Sequence, residues 1–248
     1  MRSLSCDIRA SDAVELAKTL ESKSVKLVLT DPPFGIHLST LGERGFSGVY
    51  NSHTEQLKQT LDWDEIPFDY ASFLEETKRI LHPNGSIIIF FDVFKMGLLK
   101  DEMERLGFNN IRLLTWKKTN PALFKTGPSG YLPAAFEHAL FAMRRTGRDT
   151  IDNAPNHSGL FEHQRPNRRS RGVYSYAQKP IPLLKELIRR HSVQGDLVFD
   201  PYLGSGSTAE AAMYCERRFV GGDINPDFVQ TIKQQIYRQH PNALLVED

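Results

Sequence analysis

Three observations predict an α/β fold for this chain of 248 residues. The apolar run Val25-Lys26-Leu27-Val28-Leu29-Thr30 reads as a strand and empties into Asp31-Pro32-Pro33-Phe34. Near the other end, Leu197-Val198-Phe199 feeds a Gly-rich turn, Asp200-Pro201-Tyr202-Leu203-Gly204-Ser205-Gly206-Ser207-Thr208, and then the helix-favouring Ala209-Glu210-Ala211-Ala212-Met213. Between them, Ile87-Ile88-Ile89-Phe90-Phe91 is apolar throughout, as a strand covered on both faces requires. Ligands of open α/β sheets bind at the carboxyl ends of strands, so the two motifs, brought side by side, would form one cleft with two halves.

The remaining elements follow in order. Residues 11–20 read as a helix, and residues 35–62, rich in Gly, Ser, Thr and Asn with little periodicity, as a long loop. Tyr70, Phe73, Leu74, Thr77, Ile80 and Leu81 recur at helical spacing after Asp69, a cap, and Pro83-Asn84-Gly85 ends that helix by turn chemistry. Residues 95–106 form a further helix, and residues 111–116 and 139–143 two strands, neighbours at one edge. Residues 144–176 are irregular and polar, an insertion and not a core element; a helix follows over 181–191. The last unit is strand, Gly loop, helix, strand over 219–221, and a helix over 227–238 capped by Asn225 with Pro226 in its first turn.

A chain of this length fits one α/β domain, here residues 1–248, with no internal repeat. No apolar run approaches the roughly 18 residues that span a membrane, and Met1-Arg2-Ser3-Leu4-Ser5 lacks a signal-peptide core, so a cytoplasmic protein is expected. Cys6 and Cys215 alone supply neither a metal cluster nor a disulfide framework. The net charge of +1 is unevenly spread: residues 144–172 hold seven arginines against Asp149, Asp152 and Glu162. With Tyr174 and Tyr176, these arginines suit phosphate contact and base-edge reading, and suit a solvated charged loop equally well.

Further stretches accompany the two motifs in order: Leu81-His82-Pro83-Asn84-Gly85-Ser86, Trp116-Lys117-Lys118-Thr119-Asn120-Pro121, Glu137-His138, Gln178-Lys179-Pro180, and Gly222-Asp223 followed by Asn225-Pro226. In this ordered set the chain resembles the S-adenosylmethionine-dependent amino methyltransferases of DNA, in the circularly permuted β-class order where the catalytic tetrapeptide precedes the cofactor loop. The resemblance covers nearly the whole chain. It implies a doubly wound, mostly parallel seven-stranded sheet of the class I methyltransferase type, with residues 144–176 as a small target-recognition insertion.

It also implies a chemistry. The lone pair of an exocyclic base amine is delocalised into the ring, so a catalyst must localise it with rigid hydrogen-bond acceptors. Asp31 and the carbonyl of Pro32 are those acceptors, Pro32 and Pro33 stiffen the strand end, and Phe34 stacks on a base swung out of the duplex. S-adenosyl-L-methionine is the implied cofactor, met by Asp200 and Pro201 at the amino end of its methionine part, by the turn Gly204-Ser205-Gly206, and by Asp223 at the ribose. Lys179 closes over the methionine end, and Asp12 meets the adenine amino group. Locally, Asp12 could equally be a first-turn helix acid and Gln178-Lys179-Pro180 a helix start.

The implied reaction is methyl transfer to adenine N6 of duplex DNA at a specific site, with cytosine N4 as the alternative, since Ser is the commoner first residue in cytosine enzymes. Other readings stay open: an RNA or protein-amide methyltransferase, a silent DNA-binding module, and an oxidoreductase, because Gly204-Ser205-Gly206-Ser207-Thr208-Ala209 also fits the dinucleotide fingerprint. Against the last stand Asp200-Pro201 and the separate Asp-Pro-Pro-Phe. The tetrapeptide ends in Phe where Tyr is commoner, and the recognition region is short. A short reader leaves room for a homodimer, and the family leaves room for a cognate restriction endonuclease that acts on the same site without stable binding.

Overall fold

The computed structural model describes residues 4–33, 68–121, 135–145, 158–166, 178–241 and 244–245. In chain order the elements are β1 (Ser5–Ala10), α1 (Ala13–Lys18), β2 (Val25–Thr30), α2 (Tyr70–Ile80), β3 (Leu81–Phe90), α3 (Met96–Arg105), β4 (Asn109–Lys118) and β5 (Phe136–Met143). They continue with β6 (Leu160–His163), α4 (Ile181–His191), β7 (Leu197–Asp200), α5 (Ser207–Tyr214), β8 (Arg218–Asp223), α6 (Pro226–Gln239) and β9 (Leu244–Leu245).

The strands form one sheet in the order β6-β4-β5-β3-β2-β7-β8-β1-β9. All pairings are parallel except those of β5 with β3 and β4. Its interior holds seven strands, the number the family resemblance implies, six of them read directly from the sequence, and the short β6 and β9 add one at each edge. From β2 the chain winds outward through β3, and from β7 it winds the other way to β8, beside which the first strand, β1, lies. The β2–β7 junction is therefore the point where strand order reverses, the usual crevice for a ligand.

Strand alternation divides the core in two. Cys6, Ile8, Leu27, Leu29, Ile88, Phe90, Val198 and Phe219 face α4, α5 and α6, whose Leu183, Leu187, Ala212, Met213, Ile232 and Ile236 are buried with them. Val25, Val28, Ile87, Ile89, Leu197 and Phe199 face α1, α2 and α3 through Leu16, Phe73, Leu74, Leu99 and Met103. A strand apolar at every position is the physical consequence of being covered on both sides.

Three departures from the sequence reading have local causes. β1 was not expected, because only Cys6 and Ile8 of its six residues are inward apolar groups, while Asp7 and Arg9 pair with each other on the other face at 2.5 Å. β3 begins at Leu81 and runs through Pro83-Asn84-Gly85, because Leu81 pairs with Val25 and the ladder resumes only at Ser86 with Leu27, absorbing the turn residues in an irregularity. Residues 144–176 are not free of core structure: β6 lies within them and pairs with β4, and Phe161 is buried against the α4 side of the core. There the Trp116 indole N–H donates to the His163 carbonyl at 2.9 Å, making Trp116 a core residue.

Candidate active site at the carboxyl edge of the sheet

β2 and β7 lie side by side in parallel, with Leu27 opposite Val198 and Val28 opposite Phe199, so both motifs leave the same edge of the sheet. The Thr30 hydroxyl donates to Asp200 Oδ1 at 2.7 Å, joining the two strand ends in a buried bond across most of the chain. Asp31 comes next, followed by buried Pro32 and half-buried Pro33, two residues whose rings fix φ and remove backbone donors. Phe34 and residues 35–62 lie outside the described residues.

Asp200 is buried, and its Oδ1 also accepts the Tyr202 backbone N–H at 3.2 Å. Burial pushes its carboxyl up to about 6; hydrogen bonds from Thr208, Thr30 and Tyr202 oppose that rise, and nearby Asp31 adds to it. Beyond it, Gly204 and Gly206 adopt φ of +48° and +77°. Gly206 caps α5, and a Cβ there would stand 2.6 Å from Ile232 Cγ2. Pro201, Ser205 and Ser207 are buried within this turn.

Asp223 ends β8 and ties the turn together. Its Oδ2 accepts the Gly204 N–H at 3.1 Å and its Oδ1 accepts the Asn225 N–H at 2.9 Å. Burial raises its carboxyl above the usual range, with those two bonds opposing. Next door, β1 pairs Ala10 with Asp223, and the Ser11 N–H donates to the Asp223 carbonyl at 3.1 Å. This places Asp12 at the same edge, where it caps α1 by accepting from Val14 and Glu15 at 2.8 and 3.1 Å. Asp12, Asp200, Pro201, Gly204, Ser205, Gly206 and Asp223 thus gather at the ends of three adjacent strands. Ile224, after Asp223, exposes an apolar side chain on this rim.

Lys179, just ahead of α4, is buried against Asp31. Its ammonium donates to Asp31 Oδ2, lies 3.1 Å from Glu137 Oε2 and stands 5.0 Å over the Phe90 ring. Glu137 is the second residue of β5, and its other oxygen is 2.8 Å from the ammonium of Lys118 at the end of β4. Burial works against the charge on Lys179, yet Asp31 and Glu137 hold it above the ordinary lysine range. Burial likewise opposes the ionised form of Glu137, and Lys179 and Lys118 together hold its carboxyl below the ordinary range. Sequence reading noted Glu137 only as part of a stretch; its pairing depends on an antiparallel register, which no local pattern announces. Asp92, at the end of β3, accepts the Phe94 N–H at 3.0 Å and shapes a turn.

One residue of the Arg-rich stretch, Arg165, lies at the same edge. β4 and β6 run parallel to β2, and beyond them Asn120 Oδ1 accepts the Arg165 backbone N–H at 2.7 Å while Arg165 Nε donates to the Asn120 carbonyl at 2.8 Å. Arg148, Arg168, Arg169, Arg171, Tyr174 and Tyr176 lie outside the described residues. Among the described residues no group of His, Cys, Asp and Glu is arranged to hold a metal, and no helix is long and apolar enough to cross a membrane.

Comparison with known proteins agrees with this geometry. The N6/N4 methyltransferase family model, described as DNA methylase, matches residues 25–234. The type II methyltransferase M.HinfI of Haemophilus influenzae is 25% identical, over 97% of this chain and 70% of that protein. M2.DpnII of Streptococcus pneumoniae, also a type II methyltransferase, is 24% identical over 91% of this chain and 87% of its own length. In fold, the chain resembles the M1.HpyAVI–SAM complex, with 23% identity and a TM-score of 0.65 over 93% of this chain and 99% of that one. It also resembles the cytosine-N4-specific PvuII DNA methyltransferase, with 17% identity and a TM-score of 0.66 over 99% and 96% of the two chains. With both motifs at one sheet edge and the family model spanning most of its length, the chain belongs to the S-adenosylmethionine-dependent DNA amino methyltransferases.

Proposed function

We propose that this methyltransferase acts on adenine N6 in duplex DNA, with Asp31 as the acceptor that activates the target amine. The observation that carries the reading is the position of Asp31: a carboxylate at a stiff strand end, tied through Thr30 to the Asp200 loop. An aspartate there, in place of the serine commoner in cytosine enzymes, favours adenine. The fold does not choose between bases, since a cytosine-N4 enzyme shares it.

The donor set fits the cofactor. Asp200 offers a buried carboxylate to an ammonium, Gly204 and Gly206 let backbone approach closely, Asp223 offers a carboxylate to a ribose diol, and Ile224 offers an apolar face to a flat base. Ser205 and Pro201 shape the turn, Asp12 stands at the adenine end, and Lys179 bridges the methionine end and Asp31. When bound, S-adenosylmethionine supplies an electrophilic methyl on a sulfonium.

The residues of the chain do the rest. Asp31 and the Pro32 carbonyl accept the two amine hydrogens and localise the lone pair on nitrogen; Phe34 stacks on the extruded base. Most of the acceleration is alignment and fixed electrostatics. As positive charge develops on the nitrogen, Asp31 is placed to receive the departing proton. Residues 144–176 serve as the target-reading insertion, which Arg165 and Asn120 anchor beside the site, and a second copy of the chain extends so short a reader. A restriction endonuclease would share the site without stable binding.

The cofactor half makes a pH prediction. Asp200 must be ionised to hold an ammonium, so affinity for S-adenosylmethionine should weaken as pH falls through about 6, approaching tenfold per pH unit. Stability moves the opposite way: a carboxyl raised above its unfolded value contributes stability present at low pH and lost as pH rises through about 6. Calorimetric titration from pH 5 to 8 checks the first, and flat affinity across that window would remove Asp200 from the ammonium site.

The reaction itself is tested by transferring labelled methyl from S-adenosylmethionine to unmethylated duplex DNA, digesting to nucleosides and weighing the products. N6-methyladenine is expected. Label in N4-methylcytosine would overturn the choice of base, and label only in RNA or protein would overturn the acceptor.

A further inference from the structure

Lys179 and Glu137 pose a question that the methyl-transfer reading leaves open. A lysine ammonium on the carboxylate that must accept amine hydrogens competes with the substrate for that carboxylate. Its orientation therefore matters. Asp31 has two oxygens, and Lys179 engages Oδ2. A Lys179 pinned on that oxygen leaves Oδ1 as the acceptor for the amine; a Lys179 free to swing would cover either.

The pinning comes from the far side. Glu137 Oε2 holds the ammonium at 3.1 Å, and Glu137 is itself fixed through Oε1 by Lys118 at 2.8 Å. Four strands contribute to this row: Asp31 follows β2, the Phe90 ring on β3 underlies the ammonium, Glu137 is the second residue of β5 and Lys118 ends β4. Two acids and two ammonium groups alternate, so the row is neutral as a whole, and a cationic cofactor can approach it without net repulsion. Asp200 on β7 is the next charged group, felt by Asp31 across the Thr30 bond.

We propose that Glu137 is a positioning residue for methyl transfer: backed by Lys118, it holds Lys179 charged and confined to one oxygen of Asp31, so that the other oxygen meets the target amine. The proposal rests on the reading of Asp31 as the amine acceptor. In this role Glu137 acts through Lys179. Its loss takes away one of the two carboxylates that keep a buried ammonium protonated, and burial then acts against the charge with only Asp31 opposing it. The sign follows. Activity that needs charged Lys179 is present below the lysine pKa and lost above it, so removing Glu137 moves the alkaline loss of activity to lower pH.

The test compares single-turnover methyl transfer from pH 6.5 to 10 for the full chain and for Glu137→Gln, Glu137→Asp and Lys118→Gln, each with bound S-adenosylmethionine and unmethylated duplex DNA. Glu137→Gln should be about tenfold slower near neutrality, and its rate should turn down at lower pH than the parent's. Glu137→Asp should restore most of the rate and the parent's profile, and Lys118→Gln should move in the same direction as Glu137→Gln by less. A slower Glu137→Gln with an unshifted profile would overturn the proposal and leave only a packing role. So would an unchanged rate. Asp31→Asn, assayed beside them, separates the two readings: if it retains turnover, the acceptor assignment itself has failed, whereas an inactive Asp31→Asn with a parent-like Glu137→Gln refutes only the role of Glu137. Thermal melting of each variant identifies any that do not fold; for those, Lys118→Gln carries the decision, and a parent-like profile in it would count against the proposal.

Discussion

Replacing Asp31 with alanine should lower methyl transfer by about a thousandfold or more while leaving S-adenosylmethionine affinity within a few-fold of the parent. The asymmetry follows from the geometry. Asp31 lies on the β2 side of the cleft, and the groups assigned to the cofactor, Lys179 apart, lie at the ends of β7, β8 and β1. Without the carboxylate the target amine keeps its lone pair in the ring, and the Pro32 carbonyl alone cannot draw it out. The substitution also leaves the buried Lys179 ammonium with Glu137, so some loss of stability accompanies it. Asp31→Asn keeps the shape and a hydrogen bond, and should be equally inactive with a smaller change in melting temperature. Single-turnover transfer and calorimetric cofactor binding, measured on the same preparations, check both halves. Comparable losses in both would mean that Asp31 serves the cofactor and not the acceptor.

Gly206→Ala should damage both fold and cofactor site. At φ +77° an L-residue is strained by roughly 1–2 kcal/mol. The new methyl would also stand 2.6 Å from Cγ2 of the buried Ile232 on α6, an overpacking that costs typically about 1–3 kcal/mol. Together these predict a loss of about 2–5 kcal/mol and a melting point lower by roughly 4–20 °C. The same shift displaces the Gly204-Ser205-Gly206 turn, so cofactor affinity should fall at least tenfold. Gly204 is the contrast: its φ is also positive, but a Cβ there meets only the Tyr202 carbonyl at 3.9 Å, so Gly204→Ala carries the conformational cost without the collision. Equal melting points for the two variants would remove the Ile232 collision as the cause.

What the sequence revealed was local. Asp31-Pro32-Pro33 and the Asp200–Gly206 turn stood out because strand, turn and helix chemistry are written in consecutive residues. The two-faced core was legible for the same reason: Ile87 through Phe90 are apolar at every position. What it concealed was pairing at a distance. Thr30 gives no sign that it bonds to Asp200, and Lys179 reads as a helix-start residue until β2, β5 and α4 converge on it. β6 was hidden in an arginine-rich stretch because four residues with one buried phenylalanine carry too little alternation to register as a strand. Asp12 is the cap of α1, one position ahead of the first turn where the local reading put it, and its place beside the ends of β1 and β8 leaves its cofactor role a proposal.

The central claim is that the two motifs serve one transfer, with the cofactor on the β7–β8 side presenting its methyl to Asp31. The most direct test is the crystal structure of the chain with S-adenosylmethionine bound. The account predicts the methionine ammonium in hydrogen-bond reach of Asp200, the ribose hydroxyls on Asp223, and the sulfonium methyl turned toward Asp31 and Pro32. A cofactor seated elsewhere on the sheet, or seated here with its methyl directed away from Asp31, would contradict it.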